Sequence, residues 1–138
     1  MSKRWHKMNK IYIEVSAGEL FDKISILEIK KSKIKDKEKL IHVKTELKSL
    51  NETLKKNKLD KIDSFLKNLV QDLTDINADL WEAEDLKRKY EKGKDFGEEF
   101  IKVSRAIHFK NDERSKIKRQ INVHTNSIIQ EVKDYVSY

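Results

Sequence analysis

The chain has 138 residues, a length that suits one ordinary domain rather than two. It contains no cysteine, which excludes disulfides and cysteine-ligated metal sites, and it has a formal charge of +7 with 40% charged residues. No apolar run approaches the length needed to cross a bilayer, so the composition predicts a cytoplasmic protein with no membrane association. We expect residues 1–9 to be a basic, flexible N-terminus and residues 10–138 to form a single helical domain.

The distribution of helix-breaking residues predicts an all-α fold. The chain has no proline and only three glycines, and its apolar residues recur with helical periodicity. Long uninterrupted helices account for this pattern. We therefore predict an elongated antiparallel three-helix bundle or coiled coil with a short N-terminal extended arm.

The predicted arm covers Lys10 to Ser16, where apolar and polar residues alternate. A strand with no neighbour leaves its backbone donors unpaired, so the arm is expected either to pack on the bundle or to pair with its own copy in a dimer. Ser16 resembles a helix N-cap, with Glu19 three residues later completing a capping box.

The first predicted helix runs from about Ala17 to Asn57. Its two apolar seams, one from Leu20 to Ile34 and the other from Leu40 to Leu54, are out of phase. Asp36 lies at the junction and can cap a new helix, so the pattern allows a kink or break there.

The second predicted helix runs from about Lys61 to Glu91 with regular heptad spacing, and the third from about Glu98 to Val136. A glycine-bracketed turn, Gly93 to Gly97, joins them. Folding the helices back on one another brings three polar segments into one half of the bundle.

These segments form the predicted polar cluster, for which two interpretations stay open. In the first, arginine and lysine hold a phosphate or carboxylate while an acid binds a hydroxyl or handles a proton. In the second, which we favour, the charges form an interhelical ion-pair network that sets helix register. The members of the polar cluster are Glu19, Asp22, Lys23, Glu28, Lys30, Trp81, Glu84, Asp85, Arg88, Asn111, Asp112, Arg114 and Lys118.

Metal and cofactor chemistry has little support in the sequence. The histidines lack ligand spacing, and the only metal-like signal is two acid pairs, Glu19 with Asp22 and Glu82 with Asp85. We expect no metal and no cofactor. Nucleic-acid binding is also disfavoured, because the basic stretches Met1 to Lys10 and Lys102 to Arg119 accompany no helix-turn-helix pattern.

The run from Val15 to Lys30, Val-Ser-Ala-Gly-Glu-Leu-Phe-Asp-Lys-Ile-Ser-Ile-Leu-Glu-Ile-Lys, resembles the opening signature of the domain of unknown function family 6165. The similarity extends from Ile11 to Tyr138. It implies a compact helical protein of bacteria and phages, with related domains sometimes near sugar-transferring enzymes, but no established activity or catalytic residue. Lys37 departs from the pattern, which has proline after the aspartate. Further matching positions are Leu80-Trp81, Glu84-Asp85, Asp95-Phe96, Phe100-Ile101, Asn111-Asp112, Arg114, Ile117, Lys118-Arg119, Ile121-Asn122 and Tyr135.

The leading functional prediction is a helical binding or assembly protein that forms a homo-oligomer or binds a protein partner, because long paired helices expose extended faces. The alternative is an enzyme or sensor for an anionic small molecule such as a nucleotide or sugar phosphate. In that alternative Lys23, Lys30, Arg88 and Arg114 hold the anion, and Glu84 or Asp85 acts as the acid or base.

Overall fold

The computed structural model describes residues 9–138, and the predicted flexible N-terminus lies almost entirely outside them. Four α-helices make up this part of the chain: α1 (Ala17–Lys33), α2 (Lys37–Lys56), α3 (Ser64–Lys92) and α4 (Glu98–His124). No strand is present among the described residues, so the all-α prediction is confirmed. The prediction of three helices is wrong, because the first predicted helix is two separate helices.

The break between α1 and α2 has a local cause. Ile34 ends α1 in an extended conformation, and the Asp36 side chain accepts a hydrogen bond of 3.1 Å from the backbone N–H of Lys39, which caps α2. The break allows α2 to fold back on α1. As a result Leu27 packs with Val43 and Leu47, so the two seams that were out of phase in the sequence face each other.

Helices α3 and α4 form an antiparallel hairpin. Two polar contacts join them: Lys110 pairs with Asp79 at 3.1 Å midway along the hairpin, and His124 Nε2 lies 2.8 Å from Asp63 at its open end. Helix α1 lies against both α3 and α4. Among the described helices the backbone of α2 approaches only that of α1, and Leu54 of α2 packs against the main core. The main core lies between α1, α3 and α4 and comprises Phe21, Leu66, Leu69, Leu73, Ile76 and Ile121.

Helix α4 ends at His124, so the predicted continuation to Val136 is also wrong. Asn126 adopts a left-handed backbone with φ 55°, and the Ser127 N–H donates to the Asn122 carbonyl at 2.8 Å, which is a Schellman-type end. Residues 125–138 then run back along α4, where the Tyr138 hydroxyl donates to Asp112. The apolar residues that suggested a longer helix, such as Ile128 and Val132, are exposed.

None of the helices found within residues 9–138 is long and apolar enough to cross a lipid bilayer.

Candidate functional site

A buried carboxylate in α1 organises the polar part of the structure. Asp22 is only 1% exposed. Its two oxygens accept hydrogen bonds from Arg114 on α4, at 2.9 Å from Nε and 2.5 Å from Nη2, and Asn77 on α3 donates a third at 2.8 Å. Burial by itself would raise the pKa of Asp22, but these hydrogen bonds and the charges of Arg114 and Lys118 outweigh it and hold the pKa below its usual value. Asp22 is therefore ionised at neutral pH and joins three helices.

Lys118 extends this arrangement to the C-terminal tail. Its Nζ lies 2.6 Å from Glu19, 2.9 Å from Glu131 and 3.8 Å from Asp22. Burial would lower the pKa of Lys118, but the hydrogen bonds to Glu19 and Glu131 raise it overall, so the ammonium group stays charged. We call the five residues Glu19, Asp22, Arg114, Lys118 and Glu131 the Asp22 network.

A close approach of two backbones allows the network to form. The N–H of Gly18 donates to the Asn122 side chain at 2.7 Å, and a Cβ at Gly18 would lie 2.5 Å from the carbonyl oxygen of Lys118. Only glycine permits this spacing, because any side chain would force α1 away from α4. Ser16 caps α1 by accepting from the Glu19 N–H at 3.0 Å, which confirms the predicted N-cap.

Beside the network lies an open cavity of about 400 Å³ between α1, α3 and α4, which we call the Trp81 cavity. Its apolar wall combines Ile26 and Ile29 of α1 with Leu80 and the half-buried Trp81 of α3. Its polar wall comprises Asn77, Glu84, Asp85, Arg88, Asn111 and Arg114.

Some charged groups of the cavity already form ion pairs within the protein, and others do not. Arg114 is held by Asp22, with Asn111 at 3.5 Å, and Asp85 pairs with Lys89 at 3.3 Å. Arg88 and Glu84 form no ion pair with any other described residue. The cavity therefore offers one unmatched cation and one unmatched anion, next to an aromatic surface and a fixed guanidinium.

The predicted polar cluster divides into three groups. Glu19, Asp22, Arg114 and Lys118 meet in the Asp22 network. Arg114 also lines the Trp81 cavity, together with the five predicted residues Trp81, Glu84, Asp85, Arg88 and Asn111.

Four predicted members lie apart from these two features. Lys23 is exposed, and its one ion pair within residues 9–138 is with Glu19, at 3.6 Å. Glu28 and Lys30 neither line the cavity nor form an ion pair with another described residue, and Asp112 contacts the tail through Tyr138. These four side chains therefore lie outside both the Asp22 network and the Trp81 cavity.

Two polar side chains of the candidate site were absent from the prediction. Asn77 donates to both Asp22 and Ser25, and it lies beside Ile76 in the heptad pattern of α3, so a polar residue next to a buried seam was the available signal. Glu131 had no such signal, because its role depends on the tail turning back after His124.

The acid pairs that suggested a metal engage cations of the protein instead. Glu19 and Asp22 contact Lys118, and Glu82 lies 2.9 Å from Lys33. Within residues 9–138, no three side chains of the histidine, cysteine, aspartate or glutamate type converge as metal ligands would.

Comparison with known proteins gives a family but no activity. A search of curated proteins finds no significant match to this chain, and a search of solved structures finds none either. The model of a family of unknown function, DUF6165, matches residues 11–138, nearly the whole chain. That span includes α1, the Trp81 cavity and the tail that supplies Glu131. The chain therefore belongs to the DUF6165 family of unknown function.

Proposed function

We propose that the protein binds a small anionic molecule in the Trp81 cavity. The observation that carries this proposal is Arg88, which forms no ion pair within residues 9–138 and shares the polar wall of the cavity with the guanidinium of Arg114. Arginine presents a planar set of N–H donors that matches phosphate and carboxylate oxygens, and hydrogen bonds between ionised groups are the strong ones. A volume of about 400 Å³ is within the usual range for small-molecule pockets.

The remaining lining residues narrow the chemistry of the ligand. Asp22 already compensates much of the Arg114 charge, so Arg88 supplies the main attraction for an anion and Arg114 supplies a donor of fixed orientation. Glu84 is an acceptor for a hydroxyl or amino group of the same ligand. Trp81 provides a flat apolar surface for a sugar ring or a base. A nucleotide or a sugar phosphate carries all these groups.

A binding assay tests the proposal directly. The chain has two tryptophans, so Trp5→Phe leaves Trp81 as the only indole reporter. Inorganic phosphate, glucose 6-phosphate and adenosine monophosphate would be titrated while Trp81 fluorescence and the melting temperature are measured, since a ligand of the native state raises the melting temperature. We expect saturable changes with at least one phosphorylated probe.

The decisive variant is Arg88→Gln, because Arg88 is exposed and holds no ion pair among the described residues, so the fold should tolerate its loss. We expect its affinity to fall about 10-fold or more, as for loss of a charged hydrogen bond. Arg105→Gln is the matched control, because Arg105 makes the same charge change on α4 over the ring of Phe109 and does not line the cavity. Equal affinity in Arg88→Gln and the control, or no response to any probe, would contradict the proposal.

A second candidate function, assembly into a homo-oligomer, is favoured by a different observation. Large apolar side chains are strongly exposed in both terminal segments of the described chain, including Ile11 and Ile13 before α1 and Ile128 and Val136 after α4. Exposed apolar groups of this density mark interaction surfaces. Sedimentation velocity over a range of protein concentrations tests this candidate.

A further inference from the structure

The segment before α1 has a self-complementary sequence. Lys10-Ile11-Tyr12-Ile13-Glu14 reads as a basic residue, an isoleucine, a tyrosine, an isoleucine and an acidic residue. We call residues 10–14 the arm. If two copies of the arm lie antiparallel with Tyr12 opposite Tyr12, then each Lys10 faces the Glu14 of the other copy, and each Ile11 faces an Ile13. Every pair across the ribbon is then favourable in charge or in hydrophobicity.

The arm is free to make such contacts. Ile11 is 77% exposed, Tyr12 84% and Ile13 75%, although all three are residue types that strands favour and water does not. Within the described residues, no backbone hydrogen bond joins the arm to the bundle. A second strand would both cover these side chains and pair the backbone groups.

The base of the arm adjoins further apolar surface. Ile13 and Glu14 line a groove at one end of the bundle together with Ile128 and Ile129 of the tail. Ile128 is 99% exposed. A two-stranded ribbon in water is only marginally stable by itself, so an apolar surface against which its isoleucine face can pack is an important part of the arrangement.

From the self-complementary sequence, the exposure and the adjoining apolar groove, we propose that the protein forms a two-fold symmetric dimer through antiparallel pairing of the two arms, centred on Tyr12. The partner is a second copy of this chain, since the charge pattern of the arm matches its own reverse. A two-fold axis through Tyr12 uses the same five residues in both copies. The proposal gives a contact mode to the assembly candidate described above and does not depend on ligand binding in the Trp81 cavity.

Charge reversal tests the register. Lys10→Glu places two carboxylates opposite each other at both ends of the ribbon, and Glu14→Lys does the same with two ammonium groups. We expect each single variant to weaken the dimer about 10-fold or more, because like charges in directly opposed positions destabilise a strand pair. The double variant, Lys10→Glu with Glu14→Lys, restores opposite charges and should restore the dimer constant measured by sedimentation equilibrium. Lys35→Glu and Glu38→Lys, at exposed positions near the α1–α2 turn, are the controls with equal charge changes.

A cysteine variant tests the axis of symmetry, and the absence of native cysteine makes the result unambiguous. Directly opposed residues in an antiparallel pair have Cα atoms about 4.5 to 5.5 Å apart, which a disulfide can bridge. Tyr12→Cys should therefore give a covalent dimer on mild oxidation. Lys10→Cys should not, because the two positions would lie roughly 14 Å apart along the ribbon.

The outcomes separate the arm contact from assembly in general. If the protein is a monomer at all concentrations, both the arm contact and the assembly candidate are overturned. A dimer whose stability is the same in wild type and both charge-reversal variants, with no Tyr12→Cys crosslink, would overturn the arm contact and leave assembly through another surface. Loss in both single variants and recovery in the double variant would establish the register.

Discussion

At the scale of single residues, Asp22 decides how the polar half of the bundle is held. A carboxylate removed from water costs several kcal/mol unless partners replace the lost solvation. Arg114 and Asn77 supply three hydrogen bonds to it, and Lys118 adds a second positive charge at 3.8 Å. Arg114 therefore belongs both to the interhelical ion pairs and to the proposed ligand site, which sequence patterns present as alternatives.

The lowered pKa of Asp22 predicts how stability depends on pH. A depressed pKa in the folded state adds stability that is present above the unfolded pKa, near 3.8, and is lost as pH falls through the folded value. The free energy of unfolding measured with urea should therefore decrease from pH 5 downward. Asp22→Asn should cost about 2 to 4 kcal/mol at pH 7, because it leaves Arg114 without its carboxylate partner.

A surface pair provides the comparison for this prediction. Asp79→Asn removes the partner of Lys110, where the carboxylate side chain is 59% exposed, and should cost less than about 1 kcal/mol. The difference in free energy of unfolding between wild type and Asp22→Asn should shrink as the pH is lowered. If the free energy of unfolding of wild type and that of Asp22→Asn fell in parallel with pH, the role given to Asp22 would be contradicted.

Gly18→Ala tests the close approach of α1 and α4. The new Cβ would lie 2.5 Å from the Lys118 carbonyl oxygen and 2.8 Å from the Asn122 side chain, so the helices must separate. We expect a loss of about 1 to 3 kcal/mol in urea unfolding, as for an overpacked contact. At Gly93 the nearest atom would be 3.6 Å away, so Gly93→Ala should change stability by less than about 1 kcal/mol. Equal losses of stability in Gly18→Ala and Gly93→Ala would show that the close approach of α1 and α4 at Gly18 does not determine the effect.

At the scale of elements, the start of α2 has a backbone that accepts proline. Lys37 is the first residue of α2, and Asp36 before it is extended, with φ −65° and ψ 122°, as a residue preceding proline prefers. Lys37→Pro should therefore leave stability unchanged or raise it by up to about 1 kcal/mol, because proline restricts the unfolded chain. Lys44→Pro, in the interior of the same helix, should cost about 3 kcal/mol. Thermal unfolding followed by circular dichroism distinguishes the two variants. A large loss of stability in Lys37→Pro would mean that the cap at Asp36 is formed differently.

At the scale of the whole molecule, α1 is the element on which the arrangement depends. Its backbone lies close to those of α2, α3 and α4, whereas the backbone of α2 approaches no other described helix. Loss of α1 would therefore remove Phe21 from the main core and leave α2 with the contact of Leu54 to that core.

This arrangement predicts a single cooperative unfolding transition for residues 10–138, in keeping with the single domain expected from chain length. In the Trp5→Phe variant, urea curves from Trp81 fluorescence and from far-ultraviolet circular dichroism should coincide. Fluorescence reports on α3 at the cavity, and circular dichroism reports on all helices. Two separated transitions would instead indicate that the α1–α2 and α3–α4 pairs unfold independently.

The features that depend on neighbours along the chain can be predicted from the amino-acid sequence alone. Ser16 and Asp36 cap helices through hydrogen bonds to N–H groups three residues away, and the apolar seams of α1, α2 and α3 follow helical periodicity. These signals are local, and they gave the all-α class, the N-cap of α1 and the possibility of a break at Asp36.

Which charges meet depends on how the helices pack. Arg114 reaches Asp22 across 92 positions and Lys118 reaches Glu19 across 99, and no local pattern selects these partners from a chain with 31 basic and 24 acidic residues. The end of α4 was also decided at this level, because the tail turns back and brings Glu131 to the buried Lys118 where the periodicity alone favoured more helix. Helix caps need one turn of chain, whereas ion pairs between helices need the packed bundle that brings them together.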